Sequence, residues 1–169
     1  HWLMFLLIVG VYACIELREL FPKDSDPRAA LKTWHFMLGL SVFALVWLRL
    51  ALRLLQIRPA IDPRPLTWQR YLATVLHWTF YAMMIGMPIA GWMILSAEGK
   101  PIPFYGLELP ALIAKNKDTA EWIEEIHTTA GTAGYFLIAL HASAALFHHY
   151  VLRDNTLIRI LPERTPHNR

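Results

Sequence analysis

The chain has little charge and almost no cysteine. Only 17% of its 169 residues are Asp, Glu, Lys or Arg, against roughly 25% in soluble domains. Hydrophobic residues make up 56%, a composition that argues against a separate soluble domain. The single cysteine, Cys14, excludes an internal disulfide and a thiolate metal site. The sequence also has no internal repeat and no low-complexity tract, so we expect one domain.

Four apolar stretches account for the hydrophobic excess. They cover about residues 1–20, 34–57, 71–97 and 126–152. Each of the last three reaches the roughly 20 residues that cross a bilayer, whereas the most apolar part of the first stretch is shorter. Because the chain opens on His1, we expect native residues to precede it, and we interpret the first stretch as a retained span. The sequence predicts an all-α membrane protein, a single domain over residues 1–169 built as a four-transmembrane-helix bundle.

Basic residues distinguish the two sides of this bundle. The turn between spans two and three, the helix end before it and the C-terminal tail are rich in arginine: Arg49, Arg53, Arg58, Arg64, Arg70, Arg153, Arg159, Arg164 and Arg169. Cytoplasmic loops are enriched in Lys and Arg, so we expect these segments and both termini in the cytoplasm. The other side holds residues 16–33 and 98–125. We expect residues 21–33 to be non-helical at first and residues 110–122 to form a short amphipathic helix.

The last apolar stretch carries two histidines on one face. His127 and His141 are fourteen residues apart, so their imidazoles leave the same side of a helix about 21 Å apart along its axis. Ionisable residues within membrane spans are costly and are usually functional. Two imidazoles at different depths on one face are the ligands that two stacked haems require.

Other histidines lie at matching depths on other spans. His35 begins the second span at the depth of His127, and His1 begins the first at the depth of His141. Each pair offers two axial nitrogens to one haem iron, an arrangement suited to electron transfer. His77 is an alternative to His1 as a ligand, or a residue that contacts a haem propionate or a quinone. Any one of these histidines taken alone fits a hydrogen bond to backbone or headgroup equally well.

Three further histidines lie at the cytoplasmic end. His148 continues the face of His141 two turns on, where an imidazole can donate a hydrogen bond to a quinone carbonyl and help deliver a proton. His149 is turned by about 100° and is expected to face headgroups or another helix. His167 lies in the polar tail and is expected to be solvated. A glycine follows each outer histidine by four residues, leaving room for a porphyrin plane or for close helix packing: Gly39 and Gly131.

Several short segments resemble the bacterial cytochrome b-561 family, over essentially the whole chain. They are Thr33-Trp34-His35, Gly134-Tyr135-Phe136, Leu140-His141-Ala142, His148-His149-Tyr150 and Asp154-Asn155-Thr156-Leu157. The resemblance, strongest to the di-haem superoxide oxidases of the bacterial inner membrane, implies two b-type haems held by His1, His35, His127 and His141. It also implies that superoxide is oxidised at the periplasmic haem and that ubiquinone is reduced near the other, with His148 at the quinone site.

Two alternatives remain open at this point. A cytochrome b membrane-anchor subunit would use similar ligands but take electrons from a docked dehydrogenase or hydrogenase partner, and the short outer loops argue against it. A haem-free structural membrane protein is the other. We expect neither nucleic acid nor an obligatory protein as a partner. Superoxide is an anion, and the outer loops have no net positive charge, so its attraction would need a local basic cluster: Lys23, Arg28, Lys32 or Lys100.

Overall fold

The computed structural model describes residues 1–56 and 60–161. Within these ranges four α-helices reach sixteen residues or more: α1 Trp2–Leu17, α2 Asp26–Leu55, α3 Thr67–Glu98 and α4 Lys117–Phe147. An antiparallel hairpin of β1 (Ile102–Phe104) and β2 (Leu107–Leu109) lies between α3 and α4. Short 3-10 turns cover Arg18–Leu20 and Ile158–Ile160, and a π turn covers His148–Leu152. The predictions made for Ile57, Arg58, Arg164, His167 and Arg169 lie outside the described residues.

Three of these helices are long and apolar enough to cross a membrane. They are α2, α3, and α4 together with the π turn that follows it. Large apolar side chains on their surfaces remain exposed, including Leu48, Leu54, Phe136 and Leu140. Exposed apolar surface of this extent is unfavourable in water and stable against lipid. The chain is therefore a membrane protein.

Consecutive helices pack antiparallel, and two buried clusters join α1, α2, α3 and the hairpin. The first contains Met4, Val42, Val46 and Tyr81. The second contains Leu40, Leu95 and Ile102. These clusters hold α1 and α3 against α2, and they fix the hairpin against α2 and α3. We call the end with residues 18–25 and 99–116 the hairpin end, and the end with His1, residues 60–66 and residues 153–161 the terminal end.

The helix α2 begins earlier than the sequence predicted. It starts at Asp26, eight residues before the expected start of the second span, and residues 21–25 before it are non-helical, as predicted. Pro27 lies in the first turn, where backbone N–H groups have no intrahelical acceptor, so the proline costs no hydrogen bond there. Arg28 then donates to the carbonyl of Arg18 at 3.0 Å, which ties the new turn to the end of α1.

The predicted surface helix over residues 110–122 is wrong in its first half. Residues 110–116 are non-helical, and α4 begins at Lys117, where the Asn116 side chain accepts the backbone N–H of Thr119 at 2.9 Å. Hydrogen bonds to α3 hold the preceding segment in this non-helical form, because they occupy donors and acceptors that a helix would use. These bonds are Trp92 Nε1–H to the carbonyl of Pro110, Leu112 N–H to Ser96 Oγ, and Asn116 N–H to the carbonyl of Ala97.

The hairpin was not predicted from sequence. Its turn consists of Tyr105 and Gly106, with φ of 48° and 86°, the left-handed pair that tight hairpins favour. The hydroxyl of Tyr105 lies 3.0 Å from Ser41 Oγ of α2. The hairpin therefore rests on the side of α2 and does not project freely from the helices.

The helices α1 and α4 contact each other only through long side chains in the described residues. Their Cα atoms stay more than 8 Å apart. The Tyr12 hydroxyl crosses the gap and donates to the carbonyl of Gly131 at 2.8 Å, and its ring lies 4.5 Å from that of Tyr135. Gly134 is buried directly beneath, and a Cβ there would overlap the Tyr12 hydroxyl.

We predict that Gly134→Ala destabilises the packing of α1 against α4. The added methyl must displace the Tyr12 hydroxyl from Gly131, and overpacking of this kind costs about 1–3 kcal/mol. Gly86→Ala is the matched control, since a Cβ at Gly86 meets nothing within 4 Å. Thermal unfolding in detergent should show a lower midpoint for Gly134→Ala and an unchanged or higher one for Gly86→Ala. Equal midpoints for both variants would contradict the packing described here.

Candidate functional site

His35 and His127 face each other near the hairpin end. Their ring centroids lie 6.2 Å apart and the ring planes are inclined by 75°. The Cα atoms of α2 and α4 stay more than 8 Å apart throughout the described ranges. The two imidazoles therefore reach across a gap between helices that do not pack directly on each other.

Backbone contacts orient both rings of this pair. His35 Nδ1 lies 2.9 Å from the carbonyl of Val11. Since a carbonyl only accepts, Nδ1 carries the hydrogen, and Nε2 is left as a potential metal ligand. His127 Nδ1 is buried and makes no hydrogen bond of normal geometry within the described residues, although it faces the carbonyl of Met87. Gly91 lies beside the His127 ring, where a Cβ would make an ordinary van der Waals contact, 3.7 Å from His127 Cε1.

Three histidines meet near the terminal end. The ring of His141 lies 5.5 Å from that of His77 and 6.4 Å from that of His1, centroid to centroid. Phe80 covers His141 on another side, with its ring centroid 5.2 Å away. His77 Nδ1 donates to the carbonyl of Ala73 at 2.5 Å, which orients its ring. Both predicted partners of His141 are thus in reach, and the choice between them remains a prediction.

Each of these sites places imidazoles at ring-centroid distances of 5.5–6.4 Å, a separation that suits two ligands of one haem iron. In the described residues no group of three or more His, Cys, Asp or Glu could hold a bare metal ion. Two imidazoles instead complete the coordination of an iron that is already held in the plane of a porphyrin. A Cβ at Gly39, one turn from His35, would meet nothing within 4 Å. Arg49 Nε, which lies near His141, is buried without a hydrogen-bond partner in the described residues and suits an anionic propionate.

His148 pairs with a buried carboxylate that the sequence reasoning did not single out. Its Nδ1 lies 2.5 Å from Asp154 Oδ2. The other carboxylate oxygen accepts the backbone N–H of Thr156 at 2.9 Å, and Asp154 itself is only 4% exposed. Burial raises the pKa of Asp154, but the hydrogen bonds from His148 and Thr156 together lower it by more. The pKa of Asp154 therefore falls below its usual value. The signal in the sequence that could have identified this pair is an acidic residue six positions after His148, in an otherwise basic segment.

A cavity of about 170 Å³ opens beside this carboxylate. It lies between the segment before α3 and the end of the last helix, and is lined by Pro63, Arg64, Pro65, Leu66, Gln69, Leu152 and Asp154. Asn155 links the same two segments, since its side chain accepts the Asp62 N–H at 3.1 Å and its own N–H donates to the carbonyl of Asp62. His149 points elsewhere and packs edge-on against Tyr150, with ring centroids 4.8 Å apart.

Ion pairs neutralise part of the positive charge at the hairpin end. Arg28 donates to both carboxylate oxygens of Glu19 at 3.0 and 3.1 Å, and this hydrogen bonding holds the pKa of Glu19 below its usual value. Lys100 pairs with Glu98 at 2.9 Å. Two of the four cations that could attract superoxide are therefore matched by neighbouring carboxylates.

Comparison with known proteins agrees with this picture over most of the chain. The family model described as prokaryotic cytochrome b561 matches residues 1–163. Cytochrome b561 homolog 1 of Escherichia coli (strain K12) is 37% identical over 164 residues, which cover 97% of this chain and 93% of that protein. The probable superoxide oxidase CybB of Yersinia pestis is 38% identical over 164 residues, covering 97% of this chain and 92% of the relative. The chain therefore belongs to the prokaryotic cytochrome b561 family, whose members carry b-type haem and transfer electrons in a membrane.

Proposed function

We propose that this chain is a superoxide:ubiquinone oxidoreductase of the bacterial inner membrane. It carries two b-type haems, oxidises superoxide at the periplasmic side and reduces ubiquinone near the cytoplasmic side. Two histidine groups carry this proposal, because α4 contributes His127 to one and His141 to the other and the groups therefore supply ligands at two depths. The choice of superoxide follows the relative from Yersinia pestis, which is described as a probable superoxide oxidase.

The proposal makes the chain one domain over residues 1–169 with four spans. Besides the three long apolar helices, α1 is the fourth span. It packs along α2 through Met4, and apolar side chains such as Leu3, Leu6 and Val9 remain exposed on its surface. Its sixteen residues rise about 24 Å, which is most of the roughly 30 Å hydrocarbon core.

Arginine determines the proposed orientation. The terminal end carries Arg49, Arg53, Arg64, Arg70, Arg153 and Arg159 among the described residues. The segments that the sequence assigns to this side hold nine of the sixteen Lys and Arg residues, and the side richer in these residues is expected to be cytoplasmic. The termini then face the cytoplasm, His35 and His127 lie toward the periplasm, and His141 and His148 lie toward the cytoplasm.

The histidine pairs hold the two irons in this proposal. His35 and His127 bind the periplasmic haem, and His1 and His141 bind the other, with His77 as the alternative to His1. When bound, b-type haem supplies one-electron oxidation and reduction. The hydrogen bond from His35 Nδ1 to Val11 fixes the ring orientation, and Nε2 is the nitrogen that would bind the iron. His148 binds the quinone at the cytoplasmic edge. In the overall reaction two superoxide ions become two O₂, and their two electrons with two protons reduce ubiquinone to ubiquinol.

We predict that single histidine substitutions remove one haem each. His35→Ala and His127→Ala should each halve the haem content, and so should His141→Ala, because bis-histidine ligation needs both nitrogens. Haem per polypeptide and the absorption spectrum of each purified variant measure this. His149→Ala serves as the control, since its ring packs on Tyr150 and is expected to leave both haems bound.

The variants His1→Ala and His77→Ala distinguish the two possible partners of His141. We expect His1→Ala to lose one haem and His77→Ala to keep both. Retention of both haems in His1→Ala, with loss of one in His77→Ala, would reverse the pairing. Retention of both in every one of these variants would refute the ligand set as a whole.

We also predict that the purified protein accepts electrons from superoxide without a partner subunit. Enzymatically generated superoxide should reduce the haem spectrum rapidly, and added superoxide dismutase should abolish that reduction because it removes the donor. Reduction that appears only with an iron–sulfur partner would favour the membrane-anchor function instead. A protein purified with no haem absorption at all would favour a structural role.

A further inference from the structure

We infer that Asp154 is a positioning residue that holds His148 as the proton donor to the quinone. This inference rests on the proposed function, because it assumes that ubiquinone is reduced at this end. It concerns a residue to which neither the sequence reasoning nor the relatives' names assign a role. The observation that carries it is a buried carboxylate with both oxygens committed, one of them to the proposed quinone ligand.

The backbone next to His148 and Asp154 departs from regular α-helix geometry. The last helix leaves α geometry at His148 and continues as a π turn, after which Arg153 adopts a left-handed φ of 56°. The Asp154 N–H then donates to the carbonyl of His148 at 3.1 Å. The reversal brings the Asp154 side chain back onto the His148 ring. A non-glycine residue at positive φ is uncommon, and it persists where surrounding contacts hold it.

The carboxylate fixes which nitrogen of His148 carries the shared hydrogen. An ionised carboxylate only accepts, so His148 Nδ1 donates to Asp154 Oδ2. The proton to be transferred is therefore the one on Nε2, the other ring nitrogen, which the ring carries only as an imidazolium. A carboxylate at this distance also stabilises the imidazolium that holds a proton on both nitrogens.

The proton transfer balances with the proposed reaction. As the quinone receives an electron derived from superoxide, the Nε2–H bond of His148 breaks and an O–H bond forms on a quinone oxygen. The electron pair of the broken bond stays on Nε2 as a lone pair. Nδ1 keeps its hydrogen throughout, and that hydrogen stays hydrogen-bonded to Asp154 Oδ2. Nε2 then takes a proton from water on the cytoplasmic side, and a second electron and proton complete the quinol.

The cavity beside Asp154 places polar groups between the pair and the cytoplasm. Arg64 and Gln69 line it together with prolines and leucines. Its volume of about 170 Å³ exceeds the one-probe volume, about 10–15 Å³, that a water molecule requires. A water molecule there would have polar partners in Arg64 and Gln69 beside Asp154, which also lines the cavity. The arrangement gives the pair a route to solvent that does not pass through the lipid.

Replacing the Asp154 carboxylate by an amide separates the positioning of His148 from the binding of the quinone. In Asp154→Asn one side-chain oxygen becomes an NH₂ group, so the side chain can no longer accept from both His148 and Thr156. When the amide donates to Nδ1, the neutral ring carries its only hydrogen on Nε2. That hydrogen still binds a quinone carbonyl, but its transfer would leave an imidazolate, which is unfavourable. Quinone binding should therefore survive while proton transfer is lost.

The test uses the haem-loaded full chain, reduced with dithionite and mixed with ubiquinone-1 in a stopped-flow instrument. For Asp154→Asn we expect haem reoxidation at saturating ubiquinone-1 to slow by about 100-fold, in the range of general-acid effects. The half-saturating concentration should change less than about threefold, as expected when a transition-state interaction is lost. Nitrogen-15 NMR should show that the hydrogen-bonded Nδ1–H of His148 is lost in the variant.

Two further variants keep the test decisive. His148→Gln keeps a side-chain N–H for Asp154 but has no transferable proton, so it should slow reoxidation as much as Asp154→Asn does. Because the two residues act as one unit, the double variant should be no slower than either single variant. His149→Gln is the matched control and should react like the wild type.

The outcomes separate the inference from the proposed function. A wild-type rate in Asp154→Asn, or a raised half-saturating concentration with an unchanged maximal rate, would overturn the positioning role. If the double variant slows haem reoxidation by the product of the two single reductions, that result would also overturn the positioning role. If Asp154→Asn does not fold, the rate of His148→Gln decides alone, and a wild-type rate there rejects the pair. Failure of ubiquinone-1 to oxidise the wild-type haems would instead reject the proposed quinone acceptor.

Discussion

A polar side chain inside a lipid bilayer needs a partner, and this requirement shapes the molecule. The histidines of α2, α3 and α4 lie in segments apolar enough to cross a membrane, where an unsatisfied imidazole is costly. The structure supplies backbone acceptors for some of their nitrogens, with Val11 serving His35 and Ala73 serving His77. The histidine rings approach one another across gaps between helices, with centroids 6.2 Å apart for His35 and His127. Iron bound at those gaps would bind two imidazoles at once, as the proposed function requires.

The gaps themselves depend on how the helices are held apart. The clusters around Val46 and Leu95 hold α1 and α3 against α2, and α3 also packs directly on α4. Between α1 and α4, polar contacts come from Tyr12 and Tyr135. Tyr135 donates to Glu16 at 2.6 Å and so adds a second polar link between the same two helices. This bridge lies between the two histidine groups along the helices. It keeps the helices connected without filling the space at either end.

Much of the site could be predicted from sequence because helical periodicity is a local property. The fourteen-residue separation of His127 and His141 fixes a shared face, and equal distances from the span ends match His35 with His127. The structure brings these rings within 6.2 Å of each other. The role of His77 was harder to predict, because His77 and His1 lie at compatible depths and both rings approach His141. Depth alone cannot choose between two neighbours of the same ring.

The sequence by itself determined the membrane class, the long helices and the histidine faces, since each follows from hydrophobicity and a fixed rise per residue. Tertiary structure decided the rest. Hydrogen bonds to α3 prevented a helix at residues 110–116, and contacts from Arg28 extended α2 back to Asp26. A left-handed Arg153 turned the chain so that Asp154 met His148. These features depend on groups distant in sequence or on one reversed dihedral angle, and no periodic pattern encodes either.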